Sequence, residues 1–142
     1  MLNQISVFLE NRSGQLAQIT DILSENGIDI RAINIAEVSD YGVLRFVSDN
    51  SAKSLEVLKE NGFVVTSAKV VAVAVPDKTG GLNELLKTVK DKNIDINYMY
   101  SIFGKTDGLA YMIFKVENPE ELVAAFGECG LTIADGKALG IN

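Results

Sequence analysis

The sequence has no histidine, no tryptophan and a single cysteine, Cys129. Without histidine there is no Ser-His or Cys-His nucleophile pair and no imidazole to hold a metal. One cysteine forbids an intrachain disulfide, an iron–sulfur cluster and a multi-thiolate zinc site. Cations are also in the minority. Against 19 Asp and Glu stand 13 Lys and Arg, a formal charge of −6, which argues against nucleic acid or an anionic membrane as a main partner. No apolar run approaches the roughly 18 residues that a membrane helix needs. Residues 1–9 lack the basic-then-apolar pattern of a secretory signal. The densest apolar stretch, 64–75, is interrupted by Thr66, Ser67 and Lys69 and is rich in valine, so it reads as strand. These absences point to a cytoplasmic, soluble protein with a reduced thiol. Its chemistry has to come from carboxylates, lysines, hydroxyls, amides and backbone, with no metal, no cofactor and no catalytic residue in view.

What is present is an ordinary globular mixture, 47% hydrophobic and 23% charged, in a chain of 142 residues. That length suits one domain or two small ones, and an internal repeat decides between them. Residues 11–30 (NRSGQLAQITDILSENGIDI) align without gaps on residues 77–96 (DKTGGLNELLKTVKDKNIDI) at an offset of 66. Gly14/Gly80, Leu16/Leu82, Ile28/Ile94, Asp29/Asp95 and Ile30/Ile96 are identical. Gly42 and Gly108 keep that offset, while Gly62/Gly130 and Lys69/Lys137 stand 68 apart, which places two extra residues after the hairpin of the second copy. Charge divides evenly too: residues 1–71 and 72–142 each carry a net −3. The expected domains are 1–69 and 70–142, joined with almost no linker.

Each copy reads βαββαβ. In the first, Ile5, Val7 and Leu9 alternate with Ser6 over 4–9, a strand period, and 11–14 is a turn in which Ser13 can cap a helix. Leu16, Ile19, Ile22 and Leu23 then form a helical stripe closed by Asn26-Gly27. A strand over 28–38, a turn at 39–42, a strand over 43–48, a helix over 51–61 and a strand over 63–67 complete the copy. In the second, strands at 70–75, 94–103, 109–116 and 131–133 alternate with helices near 82–92 and 119–129, Pro119 suiting a helix start. The fold class expected is α+β: two ferredoxin-like βαββαβ units in tandem, with helices on one face of antiparallel sheets and the units paired through those sheets. Several strands are apolar on both sides, Val71, Val73 and Val75 against Ala72 and Ala74 for example, so the face away from the helices should be covered as well.

The repeated strand, glycine turn, helix and Ile-Asp-Ile is the most informative feature. A helix N-terminus presents unpaired N–H groups and partial positive charge, and a turn glycine lets a ligand approach the backbone. Such a loop suits a small carboxylate or phosphate. Asp29 and Asp95, at the head of the next strand, can lie beside the first turn of the helix and hold an ammonium group. Donors and carboxylate together match a free α-amino acid. Equally, glycine for tight turning, Ser or Thr for capping and Asp in a loop are ordinary structural choices, and duplication copies those too.

ENRSGQLAQITDILSENGIDI resembles the first half of an ACT domain, and VAVPDKTGGLNELLKTVKDKNIDI resembles it more closely. The resemblance covers nearly the whole chain as two tandem copies. Ser13 and Thr79 depart from it where proline is frequent, and Asn93 departs where glycine often ends the helix. It implies a regulatory module that binds amino acids at domain–domain interfaces and has no enzymatic activity of its own. The implied ligand-binding positions are Asn11, Ser13, Gly14, Gln15, Leu16, Asp29 and Ile30, with Asn34 further along the strand. In the second copy they are Asp77, Thr79, Gly80, Gly81, Leu82, Asp95 and Ile96, with Tyr100. A free amino acid as effector, a homodimer and a metabolic enzyme as partner follow from the same resemblance. The alternative is a regulatory subunit of an amino-acid biosynthetic enzyme such as acetolactate synthase, against which the clear second copy speaks.

An enzyme would need a nucleophile–base pair or a tuned acid, and none is visible. An RNA-binding use of the same topology would need aromatics on the central strands and a basic surface. Cys129 reads as incidental, Lys87, Lys90 and Lys92 as a solvated helix face, and Tyr98, Met99 and Tyr100 as a packing patch.

Overall fold

Alternate apolar positions in strands and apolar stripes at helical spacing must be buried against each other. In a computed structural model the described residues are 1–10, 12–38 (main chain only at Val38), 40–104 and 106–141. Among them the order is β1 (Leu2–Glu10), α1 (Gln15–Glu25), β2 (Ile30–Val38), β3 (Tyr41–Ser48), α2 (Ser51–Glu60), β4 (Val65–Pro76), α3 (Gly81–Asp91), β5 (Ile96–Ile102), β6 (Leu109–Val116), α4 (Pro119–Glu128) and β7 (Thr132–Ile133). The fold is α+β with antiparallel strands. The two strands expected at 63–67 and 70–75 are one continuous strand, β4. Among the described residues no helix is long and apolar enough to cross a membrane.

Apart from the terminal residues, the chain divides into two compact units, Asn3–Ala68 and Lys69–Gly140. In the first, β3 lies between β2 and β1, pairing Phe46 with Ile5 and Ile33 and pairing Leu44 with Val7 and Ile35. The other side of β1 takes β4, and just before that strand the Val64 carbonyl accepts the Phe8 N–H at 3.1 Å. Ile5, Val7, Leu44 and Phe46 form a core with Ile19, Ile22 and Leu23 of α1 and Val57 and Leu58 of α2. In the second unit β4 lies between β6 and β7, with β5 outside β6. Val71, Val73, Val75 and Phe114 pack on Leu85 and Val89 of α3 and Leu122 and Phe126 of α4. The Phe114 and Phe126 rings meet edge-on at 5.9 Å. Each unit is therefore a ferredoxin-like βαββαβ sheet with helices on one face. In the second unit Val70, Ala72, Tyr111 and Ile113, on the face away from the helices, are buried as well.

Two local expectations change. Ser13 does not cap α1: the cap residue is Gly14, left-handed at φ 82°, so Ser13 falls one position outside. The capping side chains belong instead to the second helix of each unit. Asn50 Oδ1 accepts the Lys53 N–H (3.1 Å) and Asn118 Oδ1 accepts the Glu121 N–H (3.4 Å). The two extra residues of the second copy also sit inside its hairpin, not after it. Strand register matches Phe46 to Phe114 and Gly42 to Ala110, so the Gly42/Gly108 identity is a coincidence of two turn-adjacent glycines. Ser39 and Lys105, within the two turns, lie outside the described residues.

Candidate ligand site

β1 carries the chain to the top of the first unit, where a left-handed Gly14 turns it into α1. The Gly14 carbonyl accepts the Gln18 N–H at 3.0 Å, which aims the first N–H groups of the helix outward at this end. β2 and β3 meet at the same end. Among alternating residues, Leu9, Ile35, Glu37 and Gly42 face the helix side there. Between these strand ends and the start of α1 is a cavity of about 240 Å³. Its walls include Gly14, Gln15 and Leu16 from the loop and helix, Glu10 and Arg12 before them, and Ile35, Glu37 and Tyr41 across from them.

The site holds both signs of charge. Arg12 Nε lies 2.9 Å from Glu10 Oε2, with both side chains mostly in solvent. Such an exposed pair is weak and exchanges readily for a ligand's charges. The N-terminus of α1 adds partial positive charge to the Arg12 side. Leu9, Leu16 and Ile35 supply an apolar wall. Gln15 is buried in the helix start, and its Oε1 has no hydrogen-bond partner. An amide oxygen left in that state costs about 1–3 kcal/mol.

Of the expected residues, Gly14, Gln15 and Leu16 converge here. Ser13 is exposed in the adjoining turn, and Asn11 lies outside the described residues. Asp29 and Ile30 do not join them. They follow the far end of α1, and its 11 residues put that end about 16 Å away. The Asp29 carbonyl accepts the Asp49 N–H and the Asp29 N–H donates to Asp49 Oδ1, both at 3.0 Å, just beyond the last residue of β3, and the Asp29 carboxylate is paired with Arg31 at 3.1 Å. Asp29 and Ile30 line a shallow depression with Thr20 and Gly27, and Asp95 and Ile96 line the equivalent one with Lys90 and Asn93. Within one unit, therefore, the aspartate is not beside the first turn of the helix, because that helix separates the two. Asn34 and Tyr100 are also removed from the cavity. Asn34 pairs with Arg45 on the face away from the helices, and Tyr100, on the equivalent face, is buried and stacked on Tyr98.

The second copy's loop is built differently. Asp77, Thr79, Gly80 and Leu82 are exposed, while Gly81 is buried and donates its N–H to the Lys78 carbonyl at 3.0 Å. A β-carbon on Gly81 would stand 2.2 Å from the Pro76 carbonyl oxygen. Where the first copy has a glutamine at the helix start, the second has a loop packed onto its own backbone.

Sequence reasoning missed Glu10, Arg12, Glu37 and Tyr41. The Arg12/Lys78 match was visible, and the parity of Ile33, Ile35 and Glu37 along β2 placed Glu37 on the helix side. Only the fold brings these strand ends together. Among the described residues no group of three acidic, Cys or His side chains is placed to hold a metal.

A search of curated proteins finds no match. The ACT domain pair family matches residues 1–135. Among solved structures, protein BT0572 from Bacteroides thetaiotaomicron is 30% identical, with 97% of this chain and 94% of that one covered at a TM-score of 0.89. The regulatory subunit of aspartate kinase from Thermus thermophilus, in its ligand-free form, shares the fold at 16% identity, with coverage of 89% and 91% and a TM-score of 0.65. The corresponding subunit from Thermus flavus does so at 16% identity, with coverage of 90% and 92% and a TM-score of 0.61. On the match across 1–135 and the 30% identity over nearly the whole chain, the protein belongs to the ACT family, as a pair of ACT domains in tandem.

Proposed function

We propose that this ACT pair, with domains at 1–69 and 70–142, is a cytoplasmic regulatory module without catalysis of its own, whose effector is a free α-amino acid. The observation that carries this reading is the first-unit cavity, where both charges and an apolar wall surround about 240 Å³. The α1 N-terminus and Arg12 meet the carboxylate. Glu10 or Glu37 meets the ammonium group. Leu9, Leu16 and Ile35 receive the side chain. Gln15 Oε1 offers an acceptor that ligand binding can satisfy. Asp29 lies at the far end of α1 from this cavity, so it meets the same ligand only where two ACT domains share that ligand, and a homodimer supplies such a second domain. The Thermus relatives are named as regulatory subunits of aspartate kinase, which supports a partner enzyme as the recipient of the signal.

Regulation requires the effector to bind one state better than another, a coupling of typically about 1–3 kcal/mol. The test is a thermal-shift screen of the common amino acids. A ligand at ~100 times its dissociation constant stabilises the fold by about 2.7 kcal/mol, a shift of several degrees. Arg12→Ala and Gly14→Val should each erase the shift. No shift with any amino acid at millimolar concentration rejects the effector class. A shift that survives both variants moves the site elsewhere. Co-purification of an enzyme with the tagged chain tests the partner.

A further inference from the structure

Helix α1 buries one stripe, Gln15, Ile19, Ile22 and Leu23, whose spacing is that of a single helical face. Ile19, Ile22 and Leu23 pack into the core against the sheet. Gln15 opens the stripe at the end of the unit where Leu9 and Ile35 face the helices, and all three line the first-unit cavity. Gln15 is only 8% exposed, and its Oε1 has no hydrogen-bond partner.

The fold does not ask for an amide here. The buried stripe of the second unit opens at Gly81, ahead of Leu85 and Val89, so the same position closes there without a side chain. A leucine in the first unit would extend the apolar stripe with no polar group to desolvate. Glutamine instead puts a polar group into the part of the cavity walled by Leu9, Leu16 and Ile35, where a ligand's side chain is received. A buried acceptor without a donor is costly, and a ligand that brings the donor recovers that cost on binding. A hydroxyl or an amide both donates and accepts, so it matches the Gln15 amide whichever way that amide is turned. A charged side chain fits poorly, because one neutral amide among apolar groups does not offset the loss of its hydration. The volume of about 240 Å³ lies below the roughly 300–1,000 Å³ of drug-sized sites, which keeps the ligand small.

Given the amino-acid reading of the first-unit cavity, on which this rests, we propose that Gln15 sets its specificity. The effector is then a small, uncharged α-amino acid whose side chain carries a hydroxyl or an amide: serine, threonine, asparagine or glutamine.

The test is calorimetric titration of the full chain with matched pairs: serine and alanine, threonine and valine, asparagine and leucine, glutamine and methionine. The members of each pair differ more in hydrogen bonding than in size. The best-bound polar member should bind about tenfold or more tighter than its apolar match, because the match leaves the Gln15 amide unpaired. Gln15→Leu should remove or reverse that preference, and Gln15→Met serves if the leucine variant loses its native circular dichroism. Arg12→Ala, which acts on the ligand's carboxylate, should weaken both members of the pair alike, so their ratio survives. An apolar member that binds as tightly as its polar match overturns the assignment of Gln15 and leaves the amino-acid reading in place. So does a preference that the Gln15 variants retain, or a charged amino acid that binds more tightly than any of these. Failure of every amino acid to bind overturns both.

Discussion

Gly81 sits with its α-carbon so close to Pro76 that a β-carbon would stand 2.2 Å from the proline carbonyl oxygen. The obstacle is main chain at the end of a buried strand, and it cannot rotate aside. Gly81→Ala should therefore cost about 1–3 kcal/mol, seen as a melting temperature lower by several degrees. Gly127 provides the comparison. It lies in α4 with nothing within 4 Å of its β-carbon position, so Gly127→Ala should be neutral or stabilising through helix propensity. Equal effects from the two variants would contradict the close approach at Gly81.

At the position equivalent to Gly81 the first unit has Gln15, buried with an unpartnered Oε1. Exchanging a buried polar side chain for an apolar one of similar shape removes the desolvation penalty. Gln15→Leu should hold or raise the melting temperature of the free protein and reduce the shift that an amino acid produces. A variant that melts lower, with its ligand response intact, would make Gln15 a structural residue only.

The sequence pattern showed the repeat, the core faces and the turn glycines, because these follow from strand and helix periods and from the need for tight turning, but not that Gly14 and Gly80 are left-handed caps at φ 82° and 85°. It did not show which ends of the elements meet. Asp29 and Gly14 are neighbours in the motif, yet an intervening helix holds them apart, while Glu10 and Glu37 are far apart in sequence and end their strands at one cavity. Charges at strand ends look like ordinary surface residues until the topology pairs them. Gly42 and Gly108 misled for a related reason. Gly108 is a turn residue at φ 78°, whereas Gly42 lies in β3 opposite Leu9, so one residue type answers two different demands.

Asn93 takes φ 57° after α3, in the place that Gly27 fills at φ 68° after α1. A left-handed residue at this position closes the helix, and glycine adopts it without the steric cost that a β-carbon brings. Asn93→Gly should raise stability by less than about 1 kcal/mol. Asn93→Val should lower it by more than the glycine gains, since a β-branched side chain tolerates this region poorly. Urea unfolding of the two variants gives the comparison, and a stable valine variant would mean the helix ends otherwise.

Lys92, at the end of α3, hydrogen-bonds Glu128 at the end of α4. That bond, followed by the attraction between the charges, raises the lysine's pKa above its ordinary 10.5 and lowers the glutamate's below its ordinary 4.5. The two directions set a pH window. For Glu128, depressed when folded, the contribution is present above 4.5 and is lost as pH falls through the lowered value. For Lys92, raised when folded, it is present below 10.5 and is lost as pH rises through the raised value. Both groups face solvent, so the pair adds little at neutral pH and less in high salt. NMR titration should find the Glu128 carboxyl ionising below the usual glutamate range, and Lys92→Ala should return it to that range. A midpoint unmoved by Lys92→Ala would mean that the two helix ends are not paired in solution.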